Sequence, residues 1–448
     1  MKKLNYISIS ALALTLCLTA CNKALDLKPT GSIDQTQAIL TSNDVQSTLV
    51  GTYNRMGLSD VYGGGVFVYE DLLAMQTVVN FAGTFQGLAQ MANQAMTNDN
   101  GFAENTWLGA YEVINQTNNV IANLAKADAD KVDRIEGEAK FMRGLMYFDL
   151  ARIYGKAWND GDPSVNLAVP LVLTPTTVVS AASLVPRNTV KEIYAQAISD
   201  LKVAETKLPE KNDFYANTYS ASAILARLYL QQGDYTNALA EANKVIASGT
   251  FALVGNYADE FGGTAAHVSN STEDIFAIQV TEQQGTNALN TYYASSGFGG
   301  RGDIRVKASF LAEFEADDVR GKFFTGTTTI RTRKFNNQYG NVHVVRLAEM
   351  YLIRAEANIR LASAVGDTPA NDVNRIRRRA GLANLATVNL DRVLTERRHE
   401  LYFEGGFFLH DAKRLATAGS QILGPNLIFP VPQREINANS KLIQNEGY

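Results

Sequence analysis

Apolar residues recur at helical spacing along most of this chain. In residues 43–56, Val45, Leu49, Tyr53 and Met56 share one helix face, with Ser42 and Asn43 as candidate N-caps. The same period runs through residues 107–125 and 136–154. Residues 155–186 break it with Pro163, Pro170 and Pro175, which predicts a long surface connection. Between 249 and 335 the pattern loosens into Gly-, Thr- and Asn-rich stretches, with short strands expected at 275–280 and 328–332. Helical spacing returns at 346–361, where Ala348, Tyr351, Leu352, Ala355 and Ile359 line one side, and shorter helices are expected at 371–379 and 394–402. The tail, 427–448, reads as mostly irregular. The expectation is an all-α fold with long loops and minor β-strands.

The most regular block is 219–248. Ala226 and Tyr229 lie on a first helix, Gly233-Asp234-Tyr235 makes the turn, and Ala238 and Ala242 lie on a second. Small alanines let two antiparallel helices approach closely while the tyrosines fill the gap beside them, the physical content of a tetratricopeptide-like hairpin. Such hairpins serve as scaffolds for many purposes and do not specify a ligand.

The first twenty residues follow another logic. Lys2 and Lys3 precede an apolar run from Ile7 to Leu16, and Leu18-Thr19-Ala20 leads into Cys21. A transmembrane helix would need about 20 apolar residues, so this run reads as a secretory signal. A cysteine at the cut site makes it a lipoprotein signal, with Cys21 as the lipidation site and an acyl anchor that tethers the chain to a membrane without crossing it. Cys17 leaves with the signal, so no disulfide is expected in the mature fold. Loss of Lys2 and Lys3 takes the basic residues from 41 to 39 against 45 acids, moving the net charge from −4 to −6. That balance argues against nucleic acid as a partner. The organisation read from the chain is a signal at 1–20, a polar lipidated tether at 21–40, an N-terminal helical region at 41–260 and a C-terminal region at 261–448, the last two forming one compact unit.

Several phrases then occur in a recognisable order. They are EAKFMRGLMYFDLARIYG from Glu138 to Gly155, followed by Val169-Pro170-Leu171; VRLAEMYLIRAEAN from Val345 to Asn358; VNRIRRRAGL from Val373 to Leu382; and ERRHELYFEG from Glu396 to Gly405. Phe429-Pro430-Val431-Pro432 with Glu435, Asn439, Gln444-Asn445 and Gly447-Tyr448 closes the chain. Together, behind a lipoprotein signal, these resemble the SusD/RagB family of outer-membrane nutrient-binding lipoproteins. The resemblance implies a SusD-like fold built on tetratricopeptide-like hairpins, no catalysis, and a position on the outer face of the outer membrane. It also implies a SusC-like TonB-dependent transporter as partner and an oligosaccharide or polysaccharide as ligand. Peptide cargo on the same fold, or a protein-binding scaffold role without a small ligand, remain open alternatives.

Within these phrases Arg143, Tyr147, Asp149, Arg152 and Tyr154 read as packing and internal hydrogen bonds. Arg375, Arg377, Arg378 and Arg379 read as a solvated or salt-bridged face with Glu396, Glu400 and Glu404 as partners. Arg301-Gly302-Asp303 is too short a motif to carry meaning. Sugar recognition calls for flat apolar surface with hydrogen-bonding groups at its edge, so aromatics in loops are the candidates. Two stretches qualify, 69–85 with Tyr69, Phe81 and Phe85, and 291–301 with Tyr292, Tyr293 and Phe298. Neither holds a tryptophan.

Enzymatic motifs are lacking. Glu70-Asp71 is an adjacent carboxylate pair rather than two groups facing each other across a cleft. His267, His343, His399 and His410 show no metal-ligand spacing, no Gly-x-Ser-x-Gly elbow occurs, and the loop beginning at Asp128 and Asp130 lacks the glycine of a calcium loop. Gly63-Gly64-Gly65 lacks the lysine of a phosphate loop. No cofactor and no metal are expected.

Overall fold

The computed structural model describes residues 39–448 apart from 179, 263–267, 285–286 and 418–423. The signal, Cys21 and most of the tether lie outside the described residues, as does His267. The helices are α1 (Ser42–Met56), α2 (Gly65–Ala74), α3 (Gln86–Ala92), α4 (Gly101–Ala122), α5 (Val132–Tyr154), α6 (Val190–Lys207), α7 (Thr218–Gln232) and α8 (Tyr235–Ala247). They continue with α9 (Ala288–Tyr293), α10 (Ala308–Leu311), α11 (Leu347–Arg360), α12 (Pro369–Arg379), α13 (Leu390–Glu400), α14 (Phe407–Leu415) and α15 (Gln433–Ala438). The protein is all-α in architecture, as the period of its apolar residues implies.

Packing partners follow the chain. Helix α1 packs on α4, α4 on α5, α5 on α6, α6 on α7, α7 on α8, α8 on α11, and α11 on α12 and α13. This is a stack of helical pairs in which each buries its apolar face against its neighbours. Local chemistry sets the ends. Thr41 caps α1 in a reciprocal box with Asp44, and Thr189 does the same for α6 with Glu192. In the α7–α8 hairpin, Gly233 takes a left-handed conformation (φ 75°) that ends α7, and Asp234 accepts a hydrogen bond from the Asn237 amide to start α8. Ala226, Ala238 and Ala242 are fully buried there, the close helix approach expected of small residues.

Three two-stranded sheets supplement the helices. Strand β1 (Val79–Phe81) pairs antiparallel with β3 (Ile304–Val306), β2 (Asp274–Ile278) with β6 (Val342–Arg346), and β4 (Phe324–Thr325) with β5 (Arg331–Thr332). The strand expected at 275–280 is β2, which begins one residue earlier and ends two earlier, while the one expected at 328–332 shrinks to β5. Helices α2, α6 and α14 have no counterpart in the reading of the apolar pattern. Helix α2 is buried along nearly its whole length and so shows little amphipathic period, while α14 is amphipathic but only nine residues long. No helix among the described residues is long and apolar enough to cross a membrane.

The family phrases have structural roles. Arg143 binds Asp200 through two bonds, Nε to Oδ2 at 2.7 Å and Nη2 to Oδ1 at 2.8 Å, tying α5 to α6. Tyr147 donates to the Val172 carbonyl at 2.7 Å, and Arg152 pairs with Asp149, which also accepts from Tyr62. Of the α12 arginines, Arg377 and Arg379 reach two of the expected carboxylates, Glu396 at 3.6 Å and Glu400. Arg375 pairs with Asp367 instead, and the third expected partner, Glu404, binds Arg346 and Lys334. Arg379 reaches Glu273 and Glu400 deep in the fold, and Arg377 reaches Glu315 at 2.7 Å, whereas Arg378 is exposed. Arg346, at the junction of β6 and α11, binds Glu273 (2.5 Å), Glu400 (2.8 Å) and Glu404 (2.7 Å). Burial would raise the Glu404 carboxyl, but Arg346 and Lys334 hold it down at about 2.

Candidate functional site

Pairing of β1 with β3 brings the two aromatic stretches together. Phe81 stands opposite Ile304 in the ladder, and the Ala82 amide donates to the Asp303 carbonyl at 2.7 Å. Gly83 makes this approach possible, because a Cβ there would lie 2.6 Å from the Asp303 carboxyl carbon and from the Phe81 ring. The loop then delivers Phe85, 39% exposed, just before α3. Its ring meets Tyr292 of α9 edge-on, centroids 6.2 Å apart at 77°, and Phe102 of α4 at 5.9 Å and 79°. The Arg301 guanidinium sits over the ring at 4.7 Å, held by Asp303 at 2.8 Å. Exposed Thr84 and Gln86 flank Phe85, with the Thr84 hydroxyl 3.4 Å from an Arg301 nitrogen.

Phe298 lies on the same 291–301 segment and is 42% exposed. A single 3-10 turn over Ser296–Phe298, ended by left-handed Gly299 (φ 80°), presents it. Its backbone is fixed from below, the Phe298 carbonyl accepting from the Asn290 side chain at 3.0 Å.

The other candidates divide between rim and core. Phe81 is half-buried under the loop. Tyr292 is mostly covered and contributes mainly through its edge against Phe85. Tyr69 and Tyr293 are core side chains, which corrects their reading as stacking surface. Tyr69 is on buried α2, its ring 5.3 Å from Phe102. Tyr293, fully buried, stacks obliquely on Phe403 at 4.9 Å and donates its hydroxyl to Asp71 at 2.7 Å. Burial pushes Asp71 up to about 7 against that hydrogen bond. Glu70 is buried beside it and bonded to His410 at 2.8 Å, with burial raising the carboxyl well above its usual range and lowering the imidazole. This pair therefore faces inward. Arg301, passed over in the sequence as part of a common tripeptide, is the charged member of the rim. Only its pairing with a ring 216 positions earlier reveals it.

A second polar constellation lies between Glu260, β2 and β6. His343 Nδ1 is 2.5 Å from Asp274 and 3.5 Å from Glu260, and the three could in principle gather around a cation. Burial alone would lower the His343 pKa, but the two carboxylates push it up to about 9. An imidazolium there donates a proton toward the carboxylates, which makes the three a buried ion-paired cluster.

Helical pairs stacked as a scaffold, with an aromatic and arginine rim carried on loops at one place, define a protein of the helical-repeat class. A family model described as "Starch-binding associating with outer membrane" matches residues 23–230, and another described as "SusD family" matches residues 319–426. The chain belongs to the SusD family. It is similar to SusD-like protein P2 of Formosa agariphila, 26% identical over 98% of this chain and 99% of that one. It is also similar to starch-binding protein SusD of Bacteroides thetaiotaomicron, 33% identical over 24% of this chain and 22% of that one. A crystal structure of a SusD superfamily protein from Bacteroides thetaiotaomicron superposes with a TM-score of 0.79 at 25% identity, covering 90% of this chain and 99% of that chain.

Proposed function

We propose that the protein binds oligosaccharides at the rim formed by Phe85, Tyr292, Phe298 and Arg301. On this reading it is lipid-anchored through Cys21 on the outer face of the outer membrane and passes its ligand to a SusC-like TonB-dependent transporter. The observation that carries the proposal is an exposed phenylalanine, Phe85, lying under Arg301 from a loop 216 positions later, with exposed Thr84 and Gln86 beside it and a second exposed phenylalanine, Phe298, on the segment that carries Arg301. A ring offers the flat apolar face that a pyranose stacks on, and the guanidinium, hydroxyl and carboxamide offer donors to its hydroxyls. The printed description of the family model over residues 23–230 supports a starch-like or related glycan and an outer-membrane position.

The test is affinity electrophoresis of the chain from Asn22 onward, which retains every described residue, against plant, host and microbial polysaccharides. Retardation by at least one glycan, lost in Phe85→Ala/Phe298→Ala, is the expected result. Retardation that persists in the double variant would remove the rim from the site, and none by any glycan would turn the reading to peptide cargo. Loss of acyl labelling in Cys21→Ala, and co-purification with a TonB-dependent transporter from the native membrane, test the anchor and the partner.

A further inference from the structure

A larger concavity lies elsewhere in the fold and shares no lining residue with the rim. It has a volume of about 730 Å³ and is bounded by the C-terminal half of α1, residues 214–215 and the outer side of β2. Three rings form a continuous platform along it. Phe214 packs on Tyr215 at 4.6 Å and 43°, and Tyr215 packs on Tyr53 at 4.8 Å and 57°. The Tyr53 hydroxyl accepts from the Ala216 amide at 3.2 Å, so the inner end of the platform is fixed. Its outer end is open, with Phe214 49% exposed. A second concavity of about 240 Å³ adjoins, sharing Phe214, Tyr215 and Phe276, and its walls carry Asn217, Thr250, Ser271 and Thr272 together with two carboxylates, Asp213 and Asp274, the latter paired with His343. Phe214 thus stands between an aromatic trough and a polar wall. The residue before it, Asp213, adopts φ 50°, a conformation uncommon for a non-glycine residue, and the chain turns there so that Phe214 points outward.

The lining specifies a chemistry. In a chain with 19% charged residues, no charged side chain lines the larger concavity among the described residues. Gln279, Thr281 and Gln283 supply its polar edge. A lone exposed phenylalanine would need no explanation, but three packed rings over a concavity in the size range of ligand sites, about 300–1,000 Å³, do. Apolar rings with the neutral donors and acceptors of Gln279, Thr281 and Gln283 at one end, and hydroxyls beside carboxylates at the other, suit a ligand that has flat apolar faces, many hydroxyls and no negative charge. We infer that this groove is a second carbohydrate site, for a neutral oligosaccharide lying across Phe214, and that it is occupied independently of the rim.

Native mass spectrometry of the chain from Asn22 onward tests this with maltohexaose, cellohexaose, laminarihexaose and hexagalacturonate as probes. The expected result is two copies of a neutral hexasaccharide bound at saturation, falling to one in Phe214→Ala and remaining two in Phe214→Trp. Phe85→Ala/Phe298→Ala should also reduce the count to one, and the remaining copy should disappear when Phe214→Ala is added. Because Phe214 is half exposed, its truncation leaves the fold intact, which an unchanged thermal midpoint verifies. A count unaffected by Phe214→Ala, or binding at Phe214 only by hexagalacturonate, would overturn the inference. A single copy lost only with Phe85 and Phe298 would sink the groove and leave the rim standing. A single copy lost only with Phe214 would do the reverse, and no neutral hexasaccharide bound at all would sink both.

Discussion

Arginine appears in two opposite settings in this protein. Around Arg346 it is sealed in the fold, its guanidinium shared among Glu273, Glu400 and Glu404, with Arg320 and Arg379 and their own carboxylate partners close by. At the rim, Arg301 is exposed, holds a single carboxylate, Asp303, and lies over an exposed ring. The first arrangement leaves no donor directed at solvent and joins β2, β6, α12 and α13, so its work is architectural. The second keeps donors and a ring face accessible, as the proposed recognition of a ligand requires. Sequence spacing alone treats both as arginines near acids. Burial separates them.

The sharpest way to break this contrast is Arg346→Met. Removing one partner from a buried ion cluster leaves several carboxylates unpaired, and the expected loss is about 3–5 kcal/mol, read by urea denaturation. A change below about 1 kcal/mol would mean the cluster is not a determinant of the fold.

At the rim the same logic predicts the opposite partition. Phe85→Ala should weaken glycan binding by about 2 kcal/mol, or about thirtyfold, while stability moves by less than about 1 kcal/mol. Isothermal titration and thermal melting measure the two separately. A stability loss that outweighs the binding loss would place Phe85 with the core.

His343 offers an intermediate case. Its folded pKa is raised, so the stability it contributes is fully present below its unfolded value of 6.5 and is lost as pH rises through about 9. Glu260 is also raised, to about 8, by burial and by the Asp274 carboxylate, so it too binds more protons folded than unfolded. Between pH 6.5 and 9 the wild type should therefore lose stability relative to His343→Gln, by at most about 1.4 kcal/mol per pH unit. Parallel curves for the two proteins would show that this imidazole does not titrate as described.

The smallest expected effect comes from Tyr293→Phe. It removes one hydrogen bond to Asp71 and should cost about 1 kcal/mol of stability with glycan affinity unchanged. A loss of affinity would restore Tyr293 to the site.

Much of the scaffold was legible in the chain. Val45, Leu49, Tyr53 and Met56 fell on one face of α1, and Gly233-Asp234 ended one helix and began the next, because cap chemistry and the 3.6-residue period are local. Helix α2 was not legible, since it is buried on every side, Glu70 and Asp71 included, and that burial turned Tyr69 from a candidate contact into core. The two rim loops were also visible as aromatic stretches, but which of their rings were exposed was not. Neighbours in sequence, Tyr292 and Tyr293, point to different fates because α9 turns one toward Phe85 and the other toward Asp71 and Phe403.

The sequence by itself determined the helical class, the tetratricopeptide-like hairpin, the family and the order of its phrases. All of these rest on periodicity, caps and motifs that a few neighbouring residues encode. Only the tertiary structure decided which arginines are buried, which aromatics face solvent, and that Phe214 meets Tyr53 while Phe85 meets Arg301. Exposure and long-range pairing follow from how α2, α9 and the β1–β3 ladder pack together. That is a property of the whole stack of helices and not of any segment of it.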